Sequence, residues 1–164
     1  MPGRSVYEFC PMTADDLPTI KRWLETPHVS EWWHDAAEQF ELVSGDLGIE
    51  AMDQFIVAAG ERPFAYLQCY DPQVWPEKGL GDHPTGTRGI DQFIGEADRV
   101  NRGHGSAFIR AFIDDLIAAG APRVITDPDP ANARAIRAYE KAGFVRDHEV
   151  DTPDGRALLM VRDA

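Results

Sequence analysis

Residues 99–106 read Arg-Val-Asn-Arg-Gly-His-Gly-Ser, and this glycine-rich stretch decides the fold we expect. It follows an apolar run at Arg88–Gly95 and precedes apolar positions at helical spacing, so we expect a strand, a loop and a helix in that order. Gly103 and Gly105 let backbone N–H groups approach an anion closely, and a helix N-terminus adds about half a positive charge. The stretch therefore predicts a phosphate-binding loop that opens a helix over Gly105–Ala119.

Two familiar phosphate loops do not fit this pattern. A Walker A loop needs a Lys after its last glycine, and a dinucleotide fingerprint needs a third glycine where Phe108 stands. Basic side chains surround the loop at Arg99, Arg102 and Arg110. Further along, one helix face carries Arg134, Arg137 and Lys141 at spacings of three and four. That face is either ordinary solvated charge or a second contribution to the anion site.

The rest of the chain shows an alternation of strand and helix patterns. Capping residues at Thr13-Ala14-Asp15-Asp16 predict a helix that Pro27 stops, and residues 71–87 form a long connecting loop of a length that is usually functional or mobile. Further helices are predicted at 28–33, 36–47 and 132–142. Strands are predicted at 6–10, 54–59, 63–70, 88–95, 123–126, 144–150 and 157–161. This order predicts an α/β (α+β) fold, in which helices flank a central mixed, mostly antiparallel sheet in a single domain over residues 1–164.

The composition excludes several classes of protein. The 164 residues include no apolar stretch of the roughly 20 residues that a membrane helix needs, and Met1–Cys10 lacks the apolar core of a signal peptide. Cys10 and Cys69 are too few for a disulfide framework and are expected to be ordinary small side chains. The five histidines show no ligand spacing, so no metal is predicted. We expect a cytoplasmic protein, without a nucleic-acid or membrane partner.

The net charge of −12 is unevenly distributed. Residues 1–98 hold 18 acidic and 6 basic side chains, whereas residues 99–164 hold 10 of each. A surface of one sign concentrates ligands of the other sign, so the acidic part suits a cationic partner and the basic clusters near the loop suit an anion. Charge that serves only solubility explains the same asymmetry. The surplus of acid argues against general nucleic-acid binding.

Several motifs together give a family resemblance. The glycine loop, Asn132, Ala135 and the run Tyr139–Phe144 resemble the GNAT superfamily of acyl-CoA N-acyltransferases. Motifs along nearly the whole chain resemble the aminoglycoside 6′-N-acetyltransferases in particular: Glu31-Trp32-Trp33, Arg88-Gly89-Ile90-Asp91-Gln92, Thr126-Asp127-Pro128, Ala135-Ile136-Arg137 and Thr152-Pro153-Asp154-Gly155. The sequence departs from the family's loop motif at Val100, where the usual Gln or Arg is replaced and Arg99 lies one place early.

The resemblance implies acetyl-CoA as co-substrate and a set of residues that bind it. In the family, the loop amides hold the pyrophosphate of coenzyme A, and an Asn that starts the following helix contacts the pantetheine arm. A backbone N–H of the strand Gln92–Ile94 is the expected donor to the developing negative oxygen of the thioester. The implied binding residues are Gln92, Phe93, Ile94, Arg99, Asn101, Arg102, Gly103, His104, Gly105, Ser106, Asn132 and Arg137.

The resemblance also implies the catalytic residues. An amine must lose a proton before it attacks a thioester, and Asp91 is the carboxylate expected to contact the acceptor amine and help deprotonate it. A buried structural ion pair of Asp91 with Arg88 or Arg137 is the alternative. Tyr139 is expected to protonate the leaving thiolate, although its helical spacing also suits a core aromatic.

The acceptor is expected to meet carboxylates and aromatic rings. The implied residues are Glu31, Trp32, Gln68, Tyr70, Asp91 and Asp127. Asp127 also suits a plain Asp-Pro turn. Trp32 and Trp33 are adjacent, so we expect one of them in the core and the other on a cleft. Gln68 and Tyr70 share one face of their strand by its period of two.

Three functions remain open at this stage. The first is acetylation of the 6′-amine of an aminoglycoside by direct transfer in a ternary complex, which has a role in antibiotic resistance. The second is acylation of another small cationic amine: a lysine-like siderophore precursor, a polyamine or a peptide amine. The third is a non-catalytic acyl-CoA-binding domain. Either a monomer or a homodimer fits the sequence.

Overall fold

The computed structural model describes residues 6–164. The described chain forms the strands β1 (Tyr7–Pro11), β2 (Met52–Ala59), β3 (Arg62–Tyr70), β4 (Arg88–Ile94), β5 (Arg123–Thr126), β6 (Val145–Thr152) and β7 (Gly155–Asp163). Its α-helices are α1 (Leu17–Leu24), α2 (Pro27–Ser30), α3 (Ala36–Asp46), α4 (His104–Ala118) and α5 (Ala133–Lys141). The prediction that Met1–Cys10 carries no signal peptide falls partly on residues 1–5, which lie outside the described residues.

The strands form one sheet in the order β1-β2-β3-β4-β5-β7-β6. β4 pairs with β5 in parallel, whereas the pairs β1–β2, β5–β7 and β6–β7 are antiparallel. The predicted mixed sheet is therefore confirmed. The chain divides into two units, and β3 and β4 each contribute residues to both. The first unit extends to Gln68 and also includes Gln92–Arg102, and the second contains Cys69–Asp91 and Gly103–Ala164.

The first unit has its own apolar core beneath α1. The Thr13 capping box forms as predicted, with the Thr13 N–H donating to Asp16 at 2.9 Å. Ile20, Trp23 and Leu24 follow at helical spacing and are completely buried. Burying three large side chains of this kind stabilises the unit by several kcal/mol, at roughly 1.5–3 kcal/mol each.

The second unit contains β5, which spans Arg123–Thr126 as predicted. α4 and α5 pack together, and Arg110 of α4 donates to the Lys141 carbonyl at the end of α5 at 3.1 Å. Gly143 ends α5 in the left-handed region at φ 102°. A side chain there would also lie 3.2 Å from Arg162, which donates to the Ala142 carbonyl.

Several predicted elements differ from the structure by one or two end residues, and three differ by more. The first helix begins as a 3-10 turn at Ala14–Asp16 before α1. The helix predicted over 28–33 is wrong in extent, because α2 ends at Ser30 and a turn follows. The predicted loop at 71–87 contains two short 3-10 turns, Pro72–Val74 and Pro76–Lys78. Prolines start both turns because their fixed φ suits the first helical position.

Candidate active site

Two aspartates lie side by side, one within β4 and the other directly after the end of β5. β4 and β5 are in register at Arg88–Val124 and Gly89–Ile125, so two further residues along each strand bring Asp91 level with Asp127. Between these positions the buried Thr126 hydroxyl donates to the Ile90 carbonyl at 3.0 Å. The carboxyl groups of Asp91 and Asp127 lie within hydrogen-bonding reach of each other.

The surroundings of Asp127 favour the protonated form of its carboxyl group. The pKa of Asp127 lies well above its ordinary value, chiefly because burial disfavours the charged form. The negative charge of Asp91 and the hydrogen bond to it act in the same direction, and the positive charge of Lys78 opposes them. Two carboxyl groups this close to each other therefore disfavour full ionisation of both.

Tyr70, the last residue of β3, lies beside this pair. Its side chain is completely buried, and its hydroxyl has no hydrogen-bond partner among the residues that the structure describes. Burial, followed by the negative charges of Asp91 and Asp127, raises the pKa of Tyr70 well above its usual value. The side chain is therefore a neutral phenol whose hydrogen-bonding capacity is available to a ligand.

Gly89 makes the position of Tyr70 possible. A Cβ at Gly89 would lie 2.4 Å from Tyr70 Cζ and 2.8 Å from its hydroxyl oxygen, closer than real Cβ contacts. Gly89 and Asp91 point to the same face of β4, because side chains alternate along a strand. Because Gly89 has no side chain, the Tyr70 ring can pack directly on β4 at Gly89, on the face to which Asp91 points.

The segment 71–87 supplies two neighbours of Tyr70 that sequence reasoning missed. The Trp75 ring meets the Tyr70 ring edge-on with 6.0 Å between centroids. The Lys78 ammonium lies 4.9 Å from the centroid of the same ring. No periodic pattern marks these residues; the one available signal was the pair of prolines that start turns next to them.

Tyr139 belongs to the same unit. It is 4 % exposed and packs edge-on against Phe144, with centroids 5.4 Å apart. A negative charge on the Tyr139 oxygen would raise the pKa of Tyr70, so the two phenol groups lie close enough to interact electrostatically. The second unit thus brings four predicted site residues together: Tyr70, Asp91, Asp127 and Tyr139.

The glycine loop leads into α4 in the second unit. Gly103 precedes the helix at φ 79°, a left-handed conformation that favours glycine, and a Cβ built on it would meet no atom within 4 Å. The Ser106 hydroxyl donates to the Gly103 carbonyl at 3.4 Å. His104, Gly105 and Ser106 form the first turn of α4, whose N–H groups point out of the helix.

α5 begins at another predicted residue. Asn132 is its N-cap, and its side-chain oxygen accepts from the Ala135 N–H at 3.2 Å. Arg137 is exposed on α5. The N-cap bond fixes the Asn132 side chain, so its amide NH₂ group remains as the donor.

The first unit holds the other predicted acceptor residues. Trp33 packs on the core, edge-on to Phe93 at 5.0 Å between centroids, whereas Trp32 is half-buried and Glu31 exposed. Gln68 is buried at the end of a hydrogen-bond chain. Gln54 donates to the Tyr66 hydroxyl at 3.0 Å, and that hydroxyl donates to Gln68 Oε1 at 2.8 Å.

The remaining predicted cofactor residues also lie in the first unit. Phe93 is part of the core, Gln92 is half-buried, and the Ile94 carbonyl binds His28 Nε2 at 2.9 Å. The Arg99 guanidinium lies 5.7 Å above the Phe64 ring. Asn101, at φ 61°, and Arg102 are exposed.

Residues 6–164 contain no group of three or more His, Cys, Asp or Glu side chains that is arranged to hold a metal ion. No helix within them combines the length and the apolar character that a membrane crossing requires.

Comparison with known proteins establishes the class. The model of the acetyltransferase (GNAT) domain matches residues 12–152, and the chain therefore belongs to the GNAT acetyltransferase family. Two curated relatives, both named aminoglycoside N(6′)-acetyltransferase type 1, come from Klebsiella pneumoniae and Serratia marcescens. Each is 35 % identical over 92 % of this chain and 80 % of its own length.

Solved structures give the same fold. A crystal structure of aminoglycoside acetyltransferase AAC(6′)-Ib with coenzyme A and kanamycin is 34 % identical, has a TM-score of 0.81 and covers 96 % of this chain and 94 % of that one. An aminoglycoside N(6′)-acetyltransferase from Legionella pneumophila, at 23 % identity, covers 99 % of this chain and 94 % of that one with a TM-score of 0.82. The second likeness is one of fold alone.

Proposed function

We propose that this protein transfers the acetyl group of acetyl-CoA to the 6′-amine of an aminoglycoside. The observation that carries the proposal is the carboxyl pair Asp91–Asp127, which the register of β4 and β5 brings level, beside a Tyr70 hydroxyl with no partner among the described residues. Two carboxyl groups at one place suit an ammonium group that must bind and then lose a proton. The relatives named aminoglycoside N(6′)-acetyltransferase, which match nearly the whole chain, support the choice of acceptor.

The proposed chemistry assigns a separate role to each side chain. Acetyl-CoA supplies an acetyl thioester, whose carbonyl carbon forms a bond to the amine nitrogen as its bond to sulfur breaks. Asp91 binds the acceptor ammonium and takes its proton, directly or through water. Tyr139 gives a proton to the departing thiolate and is reprotonated from solvent. Backbone N–H groups of Gln92–Ile94 are the proposed donors to the carbonyl oxygen.

The residues around α4 and α5 fit coenzyme A. The open space in front of Gly103, into which a Cβ would project, leaves room for a phosphate at the helix N-terminus. Gly103, His104, Gly105 and Ser106 are the proposed pyrophosphate-binding residues, with Arg99, Asn101, Arg102 and Arg137 as further polar or cationic contacts. The Asn132 amide is the proposed donor to the pantetheine arm.

The acceptor residues proposed outside the pair are Glu31, Trp32, Gln68 and Tyr70. Their carboxylate, amide and aromatic groups suit a cationic sugar. We further propose that residues 1–164 act as one domain, because the family model extends across both units, and that the protein is cytoplasmic, as a monomer or a homodimer.

The test measures thiol release from acetyl-CoA with two aminoglycosides that differ only in a 6′-amine or a 6′-hydroxyl group. Release with the amine alone is the expected result. Release with neither, while coenzyme A still binds, would contradict the aminoglycoside assignment and direct the search to polyamines and lysine-like amines. Equal release with both would mean that another amine is acetylated.

A further inference from the structure

Lys78 places a positive charge of the protein itself at the candidate acceptor site. Its ammonium lies 4.9 Å from the centroid of the Tyr70 ring, within the range of a cation–π interaction. The same charge opposes the rise in the pKa of Asp127. The ammonium therefore lies in the field of both features that would attract a cationic acceptor, the aromatic face and the carboxyl pair.

The backbone around Lys78 is held in a defined position. Lys78 ends the 3-10 turn Pro76–Lys78, and Gly79 follows in the left-handed region at φ 73°. A Cβ at Gly79 would lie 3.1 Å from the Asp151 carbonyl oxygen, so the turn packs closely on β6. The next residue, Leu80, is only 5 % exposed.

His83 anchors the rest of the segment 71–87 through hydrogen bonds. His83 Nε2 lies 2.8 Å from the Leu80 carbonyl and Nδ1 lies 3.2 Å from an Arg123 nitrogen. Because a carbonyl only accepts and a guanidinium only donates, His83 carries its proton on Nε2. Arg123 is in turn bound to Asp163 at 2.6 Å. Lys78 thus projects from an anchored segment, and its half-buried side chain is a positioned cation.

We propose that Lys78 is a specificity-determining residue whose ammonium, held over the Tyr70 ring, occupies a place that an acceptor's ammonium must take or share. This inference rests on the proposed function and refines its substrate class. An acceptor that brings a second ammonium next to Lys78 meets a like charge, and like-charge contacts are a common means of rejecting a wrong partner or a wrong binding pose. Lys78 therefore disfavours the most highly charged acceptors and the poses that place two ammonium groups at Tyr70.

The test compares Lys78→Met, which keeps the length of the side chain and removes its charge, with Lys78→Arg, which keeps the charge. Binding of kanamycin is measured by calorimetry with coenzyme A present. Two unit charges about 6 Å apart at an effective dielectric constant of about 40–80 change a binding constant by roughly 3- to 10-fold. We expect kanamycin to bind tighter by that factor in Lys78→Met at low salt, and about as in the wild type in Lys78→Arg.

The salt dependence separates this role from a structural one. The gain in Lys78→Met should shrink at high salt, because the interaction is electrostatic. Weaker or unchanged binding in Lys78→Met at low salt would overturn the proposal; weaker binding would identify Lys78 as a hydrogen-bond donor to the acceptor instead.

A second measurement does not depend on any aminoglycoside. The carboxyl carbon of Asp127, followed by NMR during a pH titration, should titrate at higher pH in Lys78→Met than in the wild type, because a favourable cation has been removed. An unmoved titration overturns the placement of Lys78. If the wild type binds coenzyme A but not kanamycin, the proposed function fails, and the NMR result decides the position of Lys78 by itself.

Discussion

Asp91 is the residue on which the proposed chemistry depends most. Replacing it with Asn keeps the size of the side chain and removes the base, so we expect turnover to fall about 10²- to 10⁴-fold, the range typical of general acid–base groups. Coenzyme A affinity should hardly change, because the carboxyl lies with the acceptor residues. The measurement is steady-state thiol release together with calorimetry of coenzyme A.

The matched control is Asp82→Asn, an exposed aspartate of the segment 71–87. It should retain the turnover of the wild type. Near-normal turnover in Asp91→Asn would remove Asp91 from the mechanism.

Replacing Asp127 is expected to raise the stability of the protein and to weaken acceptor binding. Its raised pKa means that the folded protein binds this proton more tightly than the unfolded chain does. Its contribution to stability is therefore lost as pH rises from the ordinary aspartate value of about 3.9 through the raised one. The amide of Asp127→Asn has no proton to lose as pH rises, and its NH₂ group can donate to Asp91. At pH 7 we therefore expect a free energy of unfolding higher by about 1 kcal/mol. We also expect a large loss of acceptor binding.

Denaturant unfolding at several pH values between 4 and 8 tests this expectation. The difference between Asp127→Asn and the wild type should be small at the acid end and grow with pH. A difference independent of pH would mean that the Asp127 carboxyl does not hold the proton of the pair.

Tyr70→Phe tests the unpartnered hydroxyl. Removing a buried polar atom that lacks a partner should stabilise the protein by about 1 kcal/mol, whereas the KM for the acceptor should rise roughly 3- to 10-fold if the hydroxyl binds it. The control is Tyr66→Phe. The Tyr66 hydroxyl bonds to Gln54 and Gln68, so its removal should destabilise. Equal stability changes in the two variants would contradict this difference.

At the scale of elements, the closeness of β3 and β4 depends on Gly89. A methyl group there would overlap the Tyr70 ring, so Gly89→Ala should destabilise the protein by about 1–3 kcal/mol and impair acceptor binding more than coenzyme A binding. Gly45, inside α3, has no atom within 4 Å of an added Cβ. Gly45→Ala should therefore stabilise, by roughly 0.5–1 kcal/mol. Thermal unfolding of the two variants side by side measures the contrast.

Sequence patterns predict an element best where one physical signal is strong. The bounds of β5, Arg123–Thr126, agree because Pro122 and Pro128 delimit a short run with the apolar residues Val124 and Ile125. The extent of α2 was missed because Trp32 and Trp33 are apolar enough to continue a helical pattern. The backbone nevertheless turns after Ser30, with the N–H groups of both tryptophans bonded to the Val29 carbonyl.

The candidate site was predictable only as a set of separate residues. The resemblance singled out Asp91, Asp127 and Tyr139, and strand periodicity singled out Tyr70. The second unit brings these four residues together. The closeness of the two aspartates depends on the register of β4 and β5, which composition and local spacing do not contain. Lys78 and Gly89 were missed as site residues for the same reason, since each matters through one contact with Tyr70 across the fold.

At the scale of the molecule, the sequence before Arg99 and the sequence from Arg99 onward carry different net charge. The acidic surplus lies in residues 1–98, and residues 99–164 are balanced. A polycationic acceptor is attracted by the summed negative charge over distances longer than any single contact. Coenzyme A, an anion, meets the locally basic sequence around the loop within a net negative protein.

This difference predicts opposite dependences on salt for the two substrates. Raising the ionic strength from about 0.01 M to 1 M shortens the screening length from about 30 Å to 3 Å. The KM for an aminoglycoside should then rise by about 10-fold or more, because long-range attraction is screened. The KM for acetyl-CoA should change far less, because its local attraction to the arginines and its repulsion by the net charge are screened together. Parallel increases in both KM values would show instead that salt acts on the protein as a whole and that the acidic surplus serves solubility alone.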